Sequence, residues 1–298
     1  MLIPKEYVIP SQARVVFVAD LFAEDYVGGA ELTTEAIIDL SPTKVFKLHS
    51  ASLTEELVIK NLDKTWILCN WAGASRDGLV ALVNYGCSYY VVEYDYKYCK
   101  FRSSHLHKLQ LLNDCKCHLE AHGQFVGAFY KRAKQVFFMS EEQMKEYHRL
   151  LPTFQEVGNS QVLSSVWKES DLVRLSGIRS SRTSDNGKWV VLSGGTWIKN
   201  QEATEAYCKA KGLPYDLVGG MPYHDFLTTL GQYKGLVFHP AGFDTCPRLV
   251  VEAKLMGLEL DLNENVQHHN EWWFMGTPLL VEKYLQDAGQ RFWSKVTV

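Results

Sequence analysis

The sequence predicts an α/β protein made of two doubly wound, largely parallel-sheet domains in series. Three observations carry that prediction. Short β-branched and aromatic runs recur along the 298 residues, each long enough for a buried strand and too short for a helix. Helical patterns lie between them, the alternation expected of a parallel sheet with helices on both faces. The series then restarts after Val162-Leu-Ser-Ser-Val166, and a chain of this length can close two moderate cores, so a boundary is expected near 155–170.

The elements follow in order. Arg14–Asp20 reads as a buried first strand, leading to a loop with Gly28-Gly29 and a helix over Ala30–Leu40. Further strands are expected at Val45–Leu48, Trp66–Asn70, Tyr89–Glu93 and Gln135–Met139, with helices at Asp77–Tyr85 and His118–Arg132. In the second series, Leu172–Gly187 holds a short helix and a surface turn. Lys188–Ser193 is a strand, followed by Gly194-Gly195 and a helix over Gln201–Lys211. Strands at Tyr215–Val218, Gly235–His239 and Glu259–Leu262 alternate with a helix at Tyr223–Leu230. A tail helix over Pro278–Trp293 either packs on the second domain or crosses back to the first.

Composition narrows the function classes. Hydrophobic residues make up 46% of the chain and prolines number nine, which fits a folded protein rather than a disordered one. The formal charge is -3 with both signs intermixed, so there is no strong nucleic-acid signature. No apolar run is long enough for a transmembrane segment and the start lacks a secretory pattern. Seven scattered cysteines do not form a disulfide framework. A cytoplasmic setting is the expectation, and the oligomeric state is left open.

The most informative stretch is Phe238–Gly257, a strand end, a Gly/Pro-marked loop and a helix start. Amides of the turn at Gly242–Cys246 and the helix mouth can hold a diphosphate. Glu252, eight positions beyond Asp244, can accept hydrogen bonds from ligand hydroxyls. The combination points to a nucleotide-sugar site, although Asp244 also suits a helix cap.

Four stretches carry a resemblance: Gly28-Gly29-Ala30-Glu31, Phe138-Met-Ser-Glu-Glu142, Ser193-Gly-Gly-Thr-Trp-Ile-Lys-Asn200 and Pro240–Gly257. With them the chain resembles glycosyltransferases of the GT-B fold, above all the retaining family 4 group. That resemblance implies two Rossmann-like domains facing a central cleft. Residues 1–160 would form the acceptor side and 161–277 the nucleotide-sugar side, leaving 278–298 as the C-terminal helix. It implies transfer of a sugar from a nucleoside diphosphate sugar to an acceptor hydroxyl, with a glycan as one candidate, with retention and no essential metal. No cofactor is implied beyond the donor substrate. An epimerase or phosphorylase-like enzyme, or an inactive sugar-nucleotide-binding protein, stands as the alternative.

The resemblance also implies roles. Asp244 takes the place of the first of two family glutamates and Glu252 the second, the latter on the ribose. Gly242, Phe243 and Thr245 lie against the diphosphate or sugar, and Lys199 matches the basic residue that neutralises the diphosphate. Its usual arginine companion is replaced by Gly195, with Arg248 as a substitute. Gly28 and Gly29 allow the backbone to approach the donor, while Met221 and Tyr223 lie near the base. Where the family often has a His-Asp pair, this chain has Glu93-Tyr94-Asp95-Tyr96-Lys97, which makes Asp95 a catalytic candidate beside Asp244 and Lys199. Cys99, Cys115, Cys117, His118 and His122 invite a metal reading, but Cys-x-Cys-His lacks the usual zinc spacing. No metal site is expected from them.

Overall fold

A computed structural model describes residues 7–297. They form two compact units. The first comprises the described residues to Met139, then Gln143–Val166 and the stretch from Gly289 on; the second comprises Ser140–Glu142 and Trp167–Ala288.

The first unit is built from β1 (Val15–Ala19), α1 (Gly29–Asp39), β2 (Val45–His49), α2 (Glu55–Ile59), β3 (Thr65–Leu68), α3 (Arg76–Asn84) and β4 (Ser88–Glu93). It continues with α4 (Ser104–Leu111), α5 (Ala121–Arg132), β5 (Gln135–Phe138), α6 (Glu141–Leu150, from Gln143 on), α7 (Pro152–Gln155) and β6 (Ser160–Val162). The six strands are parallel in the order β2-β1-β3-β4-β5-β6, with Val15 opposite Val45 and Thr65. Every residue of β1 is buried, which is why it reads as an unbroken apolar run rather than an alternating one. Thr54, Ser75 and Ser103 cap α2, α3 and α4 by accepting from Leu57, Gly78 and Leu106 amides at 3.1–3.2 Å, satisfying donors that helix starts leave open.

The second unit contains α8 (Glu169–Ser181), β7 (Trp189–Leu192), α9 (Gln201–Lys211), β8 (Tyr215–Val218), α10 (Tyr223–Leu230), β9 (Gly235–Phe238), α11 (Arg248–Leu255), β10 (Glu259–Leu262) and α12 (Pro278–Gln286). Its sheet is also parallel, in the order β10-β9-β7-β8. Gly235 has no room for a side chain, since a Cβ would stand 2.6 Å from both the Trp189 ring and the Glu259 carbonyl.

The expected single tail helix is two. It breaks at Asp287, and α13 (Ala288–Trp293) follows. Phe292 packs on Phe137 at 4.6 Å between ring centroids, and the Trp293 indole donates to the Ile37 carbonyl at 3.0 Å. These contacts place the end of α13 in the first unit. Helices α2, α4, α6 and α7 and the edge strand β6 were not anticipated. α2, α7 and β6 are too short for a periodic pattern to show, and α4 and α6 are polar helices with few buried side chains.

Both sheets have a topological switch. In the first, the chain passes from β1 to β2 on one side and then to β3 on the other. In the second, it passes from β7 to β8 and then to β9 across β7. Open α/β sheets bind ligands beyond the carboxyl ends of strands at such points.

Candidate functional site

In the second unit the switch point lies between the loops that leave β7 and β9. Two hydrogen bonds join those loops: the Ala241 amide donates to the Ile198 carbonyl at 3.1 Å, and the Asn200 side chain donates to the His239 carbonyl at 3.0 Å. Lys199 ends a single 3₁₀ turn over Trp197–Lys199. Its stem crosses Gly194, where a Cβ would stand 3.3 Å from Lys199 Cδ and Nζ. Among the described residues no hydrogen bond or ion pair engages the Lys199 amine. Gly219 touches the same loop, since a Cβ there would lie 2.5 Å from Ser193 Oγ. Gly220 takes φ +70°, a left-handed conformation that favours glycine, and delivers Met221 to the surface.

The loop with Asp244 is braced from behind. Its backbone bridges the 265–267 segment, donating to Asn265 O at 2.8 Å and accepting from Gln267 N at 3.0 Å. Asn263 and Asn265 both donate to the Pro240 carbonyl, at 3.1 and 2.8 Å. The sequence reading missed these asparagines; the pair spaced by one residue just after β10 is the signal that could have found them. Gly242 and Thr245 are buried and Phe243 is partly so. The Asp244 carboxylate has no partner among the described residues. Burial pushes its pKa up to about 7.

Glu252 and Arg248 lie deeper than a surface reading suggests, at 2% and 5% exposure. The Tyr223 hydroxyl donates to Glu252 Oε1 at 2.5 Å, and Arg248 Nε lies 3.4 Å from the same oxygen. Burial raises the Glu252 carboxyl above its ordinary value, with Arg248 and Tyr223 opposing that rise. Arg248 is also committed to Asp171 at 2.9 Å and lies over the Trp167 ring at 3.5 Å. It therefore compensates buried charge, and Lys199 is the cation left accessible at this loop cluster.

In the first unit, Asp20, Asn70 and Glu93 stand at the carboxyl ends of β1, β3 and β4. Asp20 accepts from the Ala72 and Gly73 amides at 3.1 and 2.8 Å and from the Ser50 hydroxyl. Lys97 donates to Asn70 at 3.2 Å, Glu93 at 3.1 Å and Asp95 at 3.2 Å. Arg102 donates to Asp95 through Nε at 2.5 Å and to Asn70 at 3.0 Å. Burial would raise the Asp95 carboxyl, but Lys97 and Arg102 outweigh it and hold it below its ordinary value. Glu93, fully buried and hydrogen-bonded by Tyr130, is pushed up to about 7 by burial against the pull of Lys97. Asp95 is thus tied between two cations. Gly28 precedes α1, where a Cβ would meet Glu31 Oε2 at 2.5 Å and the Tyr26 ring at 2.7 Å; Gly29 opens the helix.

Three thiols and an imidazole also come together in this unit. The ligating atoms of Cys99, His107, Cys115 and Cys117 all lie within 4.8 Å of one another. The sequence reading paired the cysteines with His118 and His122 instead. His122 Nε2 donates to the Lys97 carbonyl, 2.7 Å away, and it is His107, eight residues after Cys99, that closes the group.

No family model matches this chain, and no curated protein does. Solved structures match across most of its length. HepE from Anabaena in complex with UDP and glucose aligns with 94% of this chain and 95% of its own, at 11% identity and TM-score 0.53. The same protein with UDP-glucose aligns over 94% and 90%, at 12% identity and TM-score 0.51. An alpha-glucosyltransferase in complex with UDP and a 13-mer DNA containing a HMU base covers 95% and 90%, at 9% identity and TM-score 0.51. At such identities the likeness is one of fold. The chain is an α/β protein of GT-B architecture, with two Rossmann-like units, each built on a parallel sheet. Among the described residues no helix is long and apolar enough to cross a membrane.

Proposed function

We propose that the protein is a glycosyltransferase that moves a sugar from a nucleoside diphosphate sugar to an acceptor hydroxyl. The observation that carries this reading is the loop cluster of the second unit. There the unengaged Lys199 amine and the unpartnered Asp244 carboxyl belong to loops hydrogen-bonded to each other at a sheet switch point. Lys199 and the amides of Gly242–Thr245 stabilise charge on the departing diphosphate. Asp244 faces the sugar hydroxyls. Glu252 is held by Tyr223 and Arg248 on Oε1, and in this reading its Oε2 accepts from the ribose, with Met221 and Tyr223 near the base. Arg248 and Asp95 are positioning residues, the first for Glu252 and the second for Lys97 and Arg102.

The fold neighbours that hold UDP or UDP-glucose favour a uridine donor, and UDP-glucose is the first to test. We extend the reading to the retaining family 4 pattern, to transfer without an essential metal at the reacting centre, and to a cytoplasmic setting. Acceptors to screen include glycans and, because one neighbour holds it, DNA with the HMU base.

The test is a panel of nucleotide sugars with the purified protein, with and without brief chelator exposure, reading thermal shift and released nucleotide. A donor that raises the melting temperature, and is consumed only when acceptor is present, supports the reading. Absence of any donor-induced shift overturns it. Lys199→Ala is expected to lower transfer by about 100-fold, the scale seen when one oriented charge stabiliser is removed, while leaving the melting temperature unchanged.

A further inference from the structure

We propose that Cys99, His107, Cys115 and Cys117 bind one zinc ion, and that the ion shapes the first unit rather than taking part in chemistry. The geometry is that of a three-sulfur, one-nitrogen tetrahedron. Bonds of about 2.3 Å to sulfur and about 2.0 Å to nitrogen place sulfurs roughly 3.8 Å apart and sulfur about 3.6 Å from nitrogen. Cys117 Sγ stands 3.4 Å and Cys99 Sγ 3.8 Å from His107 Nδ1. Since all four ligating atoms fall within 4.8 Å of one another, a contraction of about 1 Å at most closes the shell.

The histidine is set for ligation. Its Nε2 lies 3.0 Å from Asn113 Oδ1, an acceptor only, so Nε2 carries the proton and donates. Nδ1 then offers its lone pair, and two sulfurs approach that one lone pair. Without an ion, the Cys117 thiol meets Nδ1 and the Cys99 thiol donates to the Ser103 carbonyl at 3.4 Å; a shared cation would draw both sulfurs to the nitrogen. An outer partner that fixes tautomer and ring orientation is the usual companion of a ligating histidine. Three thiols with one imidazole is a donor set suited to zinc.

A second observation concerns what holds this segment in place. Helix α4 has eight residues, and its single buried side chain is His107. Leu109, Leu111 and Leu112 are exposed at 60%, 41% and 89%. A helix that short is marginal alone, and this one buries no apolar face to offset the entropy of ordering it. Metal ligation supplies the missing tie, as in small scaffolds with too little core. The chain prepares the site further at Gly123. A Cβ there would stand 2.2 Å from the Cys117 carbonyl, so only glycine lets the Cys117 turn rest on α5. Cys99, His107 and Cys117 are buried and Cys115 is partly exposed, which gives an ion its way in. The knuckle begins two residues after Lys97, so it also braces the Glu93–Arg102 cluster.

The full chain, expressed with zinc and purified without chelator, is expected to hold one zinc per chain by mass spectrometry. X-ray absorption should show three sulfurs and one nitrogen. Cys115→Ser and His107→Ala should each reduce bound zinc at least tenfold, while Cys87→Ser retains it. Should the ligand variants fail to fold, Asn113→Ala gives an independent reading. Asn113 is exposed, and losing this outer hydrogen bond should weaken zinc affinity about 10- to 100-fold with circular dichroism unchanged. A chain that binds no zinc, that joins these cysteines in a disulfide, or whose zinc affinity is unchanged in both Cys115→Ser and Asn113→Ala overturns the proposal.

Discussion

Asp244 and Arg248 sit four residues apart and illustrate opposite fates of a charged side chain. Asp244 has no partner among the described residues, and its raised pKa sets a direction for stability with pH. The unfolded carboxyl titrates near its ordinary value and the folded one near 7, so the folded state holds the extra proton between them. The stabilising term is therefore full below the ordinary range and is lost as pH rises toward 7. Against Asp244→Asn, urea denaturation of the wild type should lose about 1–3 kcal/mol across pH 4–7. A parallel pH profile for the two proteins would refute the assignment. Arg248 does the reverse, supplying the positive charge that lets Glu252 be buried. Arg248→Met should cost about 3–5 kcal/mol, the range for a buried pair that loses one member. Adding Glu252→Gln should recover part of that loss in the same denaturation assay. Such pairings were hard to read beforehand. The 29 positions between Tyr223 and Glu252 carry no periodic signal; only the sheet brings them together.

Among the elements, legibility followed burial. β1, β4 and β9 were legible because both faces are covered, which forces apolar side chains at nearly every position. β6 is short and only partly buried throughout, so Ser160-Gln-Val162 resembles a loop as much as a strand. α4 was illegible for another reason: its tie is a histidine that meets cysteines from two separate turns, a relation no helical pattern encodes. Helix α13 is the most consequential small element. Phe292 is fully buried against Phe137, and Phe292→Ala should destabilise by about 3–5 kcal/mol, as large aromatic truncations in cores do. Hydrogen exchange should report that loss in β1 and β5 of the first unit. Protection lost only in the second unit would contradict this placement.

For the whole molecule, the fold class was legible in advance because strand alternation is a local signal, as were the glycines that mark the loop after β7. The first unit's polar cluster was not. Its Asp20 and Asn70 come from the loops after β1 and β3, and Lys97 and Arg102 from the loop after β4; Asp95, a catalytic candidate from the sequence, is held there between Lys97 and Arg102. The two readings proposed above separate under chelation. Initial transfer rates should survive brief exposure to chelator, whereas long incubation should remove zinc, lower the melting temperature and then reduce transfer. An immediate loss that magnesium or zinc restores within seconds would instead place a metal at the reacting centre.

The position of α13 also bears on biosynthesis. The chain leaves the first unit at Trp167, completes most of the second and returns at Gly289. On a translating ribosome, the Phe292 plug for the six-stranded sheet emerges only after the 167–288 body has been made. The second unit can therefore mature while the earlier-made one still waits for its last apolar contact. During that interval the first unit is the part of the nascent polypeptide most in need of a chaperone.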